Sequence, residues 1–369
     1  MSAAPGVLHR RLTYAHTRSE ACLAREFRDF ADRQCRGRSP LYADLAEGVA
    51  ADPELLTLAG GVALGQPAPN LLLGVIHWLL LRNAGSELAA FYPSVAGDAV
   101  AHGDPVPALR SFCLTHRDEI LELTASRSVT TNEVGRCAVF LPALYTIASS
   151  LEDSPIHFVD IGASLGLGLL WDRLQVQYTG ARTLGPADAA MVLQADARGV
   201  DSLLTVGEPP RGGSAVGIEL ADMDVACDDD VDWVDALIWP EAHERRARFQ
   251  RAVSIARRSP PRILRGDARA LLEPYLSALP AGEPACVLLS FVGYQMFPTT
   301  AALTAWLDSV HRGRPMWVMQ LGNFGHATPR LLMARYGHAP VPEHTFLTCD
   351  TYGEWIGPSD TVPSPIEPR

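Results

Sequence analysis

Ile156-His157-Phe158-Val159-Asp160-Ile161-Gly162-Ala163-Ser164-Leu165-Gly166 is the stretch whose reading decides the fold. An apolar run that ends in an acid, then glycines, then apolar residues from Leu167 to Leu174 predicts a strand, a tight turn and a helix. Glycine lets backbone come close to a ligand, and a helix start aims free N–H groups at the same place. The unit reads as a nucleotide-cradling loop.

Working outward, the residues that follow alternate short apolar runs with helical stretches, the pattern of a parallel sheet flanked by helices. Strands are expected at Ile156 to Asp160, Ala215 to Leu220, Arg262 to Arg265, Ala285 to Phe291 and Met316 to Leu321, with helices at Glu241 to Arg258, Ala268 to Ala278 and Thr300 to Arg312. Between Tyr178 and Pro210 the pattern weakens, and Ala190 to Ala195 reads as an inserted strand pair. After Pro329 a helix through Tyr336 is expected, then β-like runs near Pro340 and at Thr345 to Asp350 that close the sheet with an antiparallel edge hairpin. Pro358 to Arg369 reads as a loose tail. Upstream, Ala21 to Gln34, Leu41 to Ala51, Asn70 to Asn83, Pro107 to Ala125 and Val134 to Ser150 show helical spacing between Pro and Gly punctuation. The expectation is an all-helical N-terminal domain over residues 1–150 and an α/β domain over 151–369.

Composition narrows the chemistry. The chain has 369 residues, a formal charge of −11 and 31 basic residues, every one an arginine. Without lysine there is no Schiff base, no P-loop lysine and no kinase-type phosphate lysine. The acidic balance argues against nucleic acid as a partner, although Arg10, Arg11, Arg18, Arg25, Arg28, Arg33, Arg36 and Arg38 make the first forty residues locally basic; that run reads as a solvated helix face. The longest apolar stretch, Leu71 to Leu81, is too short for a bilayer, so no membrane partner is expected. Seven scattered cysteines without a CxxC pair fit reduced thiols in a cytoplasm, and no metal-ligand spacing occurs.

The loop Asp160-x-Gly162-x-Ser164-x-Gly166 resembles the first motif of class I S-adenosylmethionine-dependent methyltransferases, with Ser164 in place of the middle glycine. The resemblance implies a Rossmann-like class I methyltransferase-type sheet and S-adenosylmethionine as cofactor. It implies that Asp160 positions the ligand's amino-acid portion, that Glu219 accepts from the ribose hydroxyls, and that Asp267 accepts from the adenine amino group. For Glu219 and Asp267 the alternative is a helix N-cap. Ser290, Phe291 and Tyr294, after the fourth strand, fall where such enzymes line the methyl-transfer pocket; as a packed aromatic, Tyr294 has a structural reading too.

The wider chain resembles a family of uncharacterised bacterial proteins, common in actinomycetes, carrying a domain of unknown function. The residues are Pro69-Asn70-Leu71-Leu72, Thr131-Asn132-Glu133-Val134-Gly135-Arg136, the Asp160 to Gly166 loop, Trp239-Pro240-Glu241 and Tyr352-Gly353-Glu354-Trp355. After Glu219 the chain departs from the pattern, with Ala221-Asp222 in place of Asn-Pro. Asn132, Glu133 and Arg136 are expected to face the cofactor, Glu133 as a catalytic candidate; the bland alternative is a capping box with an internal ion pair. His77 within an apolar helix reads as a core histidine before it reads as a base.

A rival reading takes Gly162-Ala163-Ser164-Leu165-Gly166 as the nucleophile elbow of an α/β-hydrolase, with His326, His338 or His344 as base and Asp267 orienting it. An elbow serine follows several strands, whereas the first 150 residues read as helical, which argues against it. The expectation is methyl transfer to a small-molecule acceptor in a cytoplasmic protein, with a non-methylating alkyl transfer or cyclisation from the same cofactor as a variant.

Overall fold

The computed structural model describes residues 18–359 apart from 152, 153, 206, 208, 338 and 339. Arg10, Arg11, His338 and the tail beyond residue 359 lie outside the described residues. The chain divides into two compact units, Met1–Val129 with Trp239–Ala242, and Thr130–Ile238 with His243–Arg369. The division falls at 129/130 rather than at 150. Helix Cys137–Ala148 is buried along most of its length, and its Phe140 stacks on Phe158 at a ring distance of 5.7 Å. Helical periodicity alone says nothing about which core a helix joins.

The first unit is helical in its described part, as expected. Its helices are Glu20–Phe30, Pro40–Ala51, Pro53–Ala59, Ala68–Arg82, Val106–Thr115 and Arg117–Ser126, with shorter turns between. Two start on an oxygen-bearing side chain followed by proline: Ser39 accepts from Tyr42 N, and Asp52 accepts from Glu54 N. The helix expected over 107–125 is broken at His116 into two. Trp239-Pro240-Glu241 belongs here structurally: Glu241 accepts from Ser39 Oγ (2.6 Å) and Leu41 N (3.0 Å), while Trp239 packs on Phe30 and Tyr42. His77 is fully buried with Nε2 2.7 Å from Ser94 Oγ, the core role.

The second unit is built on one sheet of eleven strands. They are β1 (Ile156–Ile161), β2 (Leu174–Thr179), β3 (Thr183–Leu184), β4 (Met191–Ala197), β5 (Gly212–Glu219), β6 (Ile263–Arg265), β7 (Ala285–Ser290), β8 (Met316–Gly322), β9 (Arg330–Tyr336), β10 (Val341–Cys349) and β11 (Trp355–Gly357), in the order β3-β2-β4-β11-β10-β9-β8-β7-β1-β5-β6. The run β8-β7-β1-β5-β6 is parallel. From β1 the chain builds outward through β5 to β6, then returns to lay β7 and β8 on the other side. The order therefore reverses beside β1, and the carboxyl ends of β1 and β7 flank the crevice where open α/β sheets bind ligands.

One face of this parallel run packs Val159, Ile161, Val216, Ile218, Val287 and Leu289 against helices Ala268–Ala278 and Thr300–Val310. Alternation along β1 sends Phe158 and Asp160 to the opposite face, toward helix Cys137–Ala148.

Three expectations are corrected. Leu167–Arg173 is a 3-10 helix, not an α-helix, and leads directly into β2. Its apolar residues, Leu167, Leu169, Leu170 and Trp171, are buried within two tight turns, after which the apolar period drops to two at Leu174, Val176 and Tyr178. Arg330–Tyr336 is strand β9 rather than a helix. Leu, Met, Ala and Arg favour helix, but pairing with β8 on one side and β10 on the other overrides that weak preference. The hairpin β9–β10 exists, yet it is interior and not an edge, because β11, β4, β2 and β3 continue the sheet beyond it.

Candidate functional site

Register brings three of the expected residues onto one face. Asp160 pairs with Gly217 of β5 and with Leu288 of β7. Glu219 and Ser290 lie two residues further along those strands, so both share Asp160's side of the sheet at its carboxyl end.

The loop between them is held by side chains from two directions. Gly162, Ser164 and Gly166 all have positive φ (75°, 52° and 78°). At Gly166 a side chain is barred twice over, since a Cβ would also stand 2.6 Å from Pro261 Cγ. Glu219 Oε2 accepts from Ser164 N at 2.7 Å, and its Oε1 accepts from Ala221 N at 2.9 Å. Asn132 spans the loop, its Nδ2 donating to Ala163 O (3.2 Å) and its Oδ1 accepting from Leu167 N (3.0 Å). Asn132 and Glu219 thus set the loop's shape, and Glu219 keeps a second lone pair on each oxygen for a further donor.

Asp160 is the anomaly. It is 5% exposed, and among the described residues its carboxylate has neither a hydrogen bond nor an ion pair. Burial first, then repulsion from Glu219, pushes its pKa up to about 7, against the opposing pull of Arg136. A Cβ on Gly168 would stand 2.7 Å from Asp160 Oδ2, so the carboxyl group leans directly on the backbone leaving the loop. A buried acid without a partner is expensive, and such groups occur where a ligand supplies the missing donor.

Arg136 is buried to 8% exposure beside it. Its Nε donates to Thr351 O (3.0 Å) and its Nη1 to Ser290 Oγ (3.1 Å), while the guanidinium lies 4.4 Å over the Phe291 ring. Nη2 makes no hydrogen bond among the described residues. Burial lowers its pKa, and the charge of Glu133 acts the other way.

Glu133 itself is fully engaged. Its Oε2 accepts from Arg245 Nε (2.8 Å), and its Oε1 accepts from Arg248 Nη2 (3.2 Å) and from Gly135 N (3.0 Å). Burial opposes ionisation, but the two arginines hold the Glu133 carboxyl below its usual range. Its ion pairs come from helix His243–Arg258, not from within the Thr131–Arg136 segment. Arg245 then lies 3.5 Å over the ring of Tyr352. Gly135 and Gly353 meet backbone to backbone, so neither position has room for a Cβ. The segments around Arg136 and Tyr352 therefore form one assembly with the end of β7.

The other expected residues stand further out. Asp267 caps helix Ala268–Ala278 by accepting from Arg269 N (2.8 Å) and pairs with the Arg269 side chain, the contact that chiefly lowers its pKa. Tyr294 is 72% exposed and lines a hollow at the ends of β7 and β8. Ser164 Oγ is buried without a hydrogen-bond partner, so among the described residues no histidine stands ready to activate it as a nucleophile. Arg245 and Arg248 are not among the expected residues, nor are Gln320 and Phe324, which line the same hollow as Tyr294. The i, i+3 spacing of the two arginines on one amphipathic helix was the available signal; for Gln320, inside an apolar strand, there was none beyond its polarity.

No helix among the described residues is long and apolar enough to cross a membrane, and no group of three or more His, Cys, Asp or Glu among them could hold a metal ion. Residues 24–357 match the family model of an uncharacterized protein conserved in bacteria (DUF2332), and the chain belongs to that family. No curated protein and no solved structure matches it.

Proposed function

With membership of that bacterial family as the premise, we propose that the protein is an S-adenosylmethionine-dependent transferase that methylates a small molecule. The observation that carries the reading is Asp160, a buried carboxylate without a donor, set at the carboxyl end of β1 beside the strand-order reversal. The residues present fit the amino-acid end of that cofactor. Asp160 would accept from its ammonium group, and the unused Nη2 of Arg136 would donate to its carboxylate.

Glu219 would accept from the ribose through its remaining lone pairs, and Asp267 from the adenine amino group. The glycine loop gives backbone room for the ligand to pass. Glu133 then acts by holding Arg245 and Arg248, without touching the ligand. When bound, S-adenosylmethionine supplies an electrophilic sulfonium methyl. The chain's contribution is alignment: Asp160 and Arg136 fix one end of the cofactor, and Ser290 and Tyr294 stand where an acceptor would be oriented. A methyltransferase-type sheet would here accommodate a 3-10 turn after the loop and three strands, β2 to β4, inserted before β5.

Calorimetry and thermal shift with S-adenosylhomocysteine, NAD and NADP test it. Ligand at a hundred times its dissociation constant adds about 2.7 kcal/mol of stability, hence a shift of roughly 2–4 °C. Binding of NAD or NADP with none of S-adenosylhomocysteine, or no binding of any, rejects the reading.

A further inference from the structure

The hollow at the carboxyl ends of β7 and β8 has a lining of one chemical kind. Phe291, Val292, Tyr294, Phe297, Leu303 and Phe324 make its walls, and no arginine, histidine, aspartate or glutamate is among its lining residues. Its polar groups are neutral: Gln320, Asn323, Thr299 and Thr300. Two of its phenylalanines have left-handed backbone, Phe291 at φ 57° and Phe324 at φ 49°. Neither is a residue that adopts this conformation without cost, and such strain persists where the surroundings over-determine it, characteristically at ligand sites. Tyr294 and Phe324 are also two of the five large hydrophobic side chains that stand exposed among the described residues.

Gln320 supplies an independent observation. It is 4% exposed, and its Nε2 donates to Glu343 Oε2 at 2.5 Å. A carboxylate accepts only, so this bond fixes which way the amide is turned. Oε1 is left as the free end, without a partner among the described residues and on the side of Gly293, whose added Cβ would stand 3.6 Å from it. The hollow thus combines aromatic walls, no charged lining residue and one unpaired acceptor oxygen on a buried side chain.

We propose that this hollow binds an uncharged, planar aromatic molecule carrying a hydroxyl or N–H group, with that group donating to Gln320 Oε1 and the ring between Tyr294 and Phe324. As the acceptor of the methyl transfer this ligand rests on the function proposed above; as a binding site it stands on these side chains alone. Arg136, stacked on the Phe291 ring and bonded to Ser290, connects the hollow to the Asp160 crevice.

The test titrates the full chain with 1-naphthol, 1-methylnaphthalene and 1-naphthoate by calorimetry and saturation-transfer NMR, with and without S-adenosylhomocysteine. 1-Naphthol should bind about three- to tenfold more tightly than 1-methylnaphthalene, the worth of one neutral hydrogen bond, and 1-naphthoate should bind most weakly. Gln320→Leu should erase the difference between the first two. Tyr294→Ala, at an exposed position that leaves the fold intact, should weaken both by about threefold or more. Naphthoate binding as well as naphthol, a preference that survives in a folded Gln320→Leu protein, or indifference to Tyr294→Ala overturns the inference. Should Gln320→Leu not fold, the ligand order and Tyr294→Ala decide. S-adenosylhomocysteine binding without naphthol binding sinks this inference and spares the cofactor; naphthol binding with the expected order but no S-adenosylhomocysteine binding does the reverse.

Discussion

Replacing Asp160 with asparagine should make the unliganded protein more stable, and only at the higher end of the pH range. The carboxyl group has a pKa of 3.8 when free in the unfolded chain and about 7 in the fold. At 1.36 kcal/mol for each pH unit between these values, ionised Asp160 opposes folding by about 4 kcal/mol. The sign follows from proton counting. Between the two pKa values the folded state holds a proton that the unfolded state has released, so stability is fully present below pH 3.8 and is lost as the pH rises through 7. Asp160→Asn retains the size and removes the titration. Urea denaturation of both proteins should therefore give curves close together near pH 4 and separated by about 4 kcal/mol at pH 8, with the asparagine variant the more stable. On the proposed binding mode the same variant should bind S-adenosylhomocysteine about 10- to 100-fold more weakly, because the bond it would lose is charge-assisted. A stability difference that does not grow between pH 4 and pH 8 would refute the electrostatic argument, whatever the ligand does.

Gly166→Ala should destabilise by about 2–4 kcal/mol, from the left-handed φ together with the clash at Pro261, whereas Gly180→Ala, at a similar φ with open space around it, should cost about 1 kcal/mol; thermal melts of the pair separate backbone strain from packing. Glu133→Gln leaves Arg245 and Arg248 without their carboxylate and should cost roughly 3 kcal/mol at pH 7. Because the folded pKa of Glu133 is depressed, that contribution is present above 4.5 and fades as the pH falls through the folded value, so the two proteins should converge in acid denaturation curves. Ser164→Ala removes a buried hydroxyl that has no partner, so stability should hold or rise by about 1 kcal/mol; a fluorophosphonate should label neither protein, and labelling of Ser164 would revive the hydrolase reading.

The parallel half of the sheet was legible because its strands are short apolar runs bounded by acids and glycines, and the five expected there all exist. The antiparallel half was not. β9 is written in residues that favour helix, and β11 is only three residues long, too short for periodicity to register. In the site, the positive φ at Gly162 and Gly166 followed from glycine's place in a turn, and Asp267's capping role from its place before a helix. The burial of Asp160 without a donor could not be read, since it depends on Arg136 and Glu219 arriving from distant parts of the chain. Nor could the engagement of Glu133, whose two arginines lie more than a hundred residues away.

β11 has a consequence for how the protein is made. It is the strand that joins β10 to β4, pairing Gly357 and Ile356 on one side and Trp355 and Ile356 on the other. Without it the sheet falls into a seven-strand body and a three-strand remainder, β3-β2-β4, whose members follow the glycine loop in the chain. During synthesis that remainder emerges some 160 residues before the segment that pairs with it. The segment leaving the glycine loop therefore waits with an unpaired edge until Trp355–Gly357 has been made. A chain ending at Glu354 should keep the parallel strands, expose β4 and aggregate, and pulse-labelled hydrogen exchange during refolding should find β4 among the last amides protected.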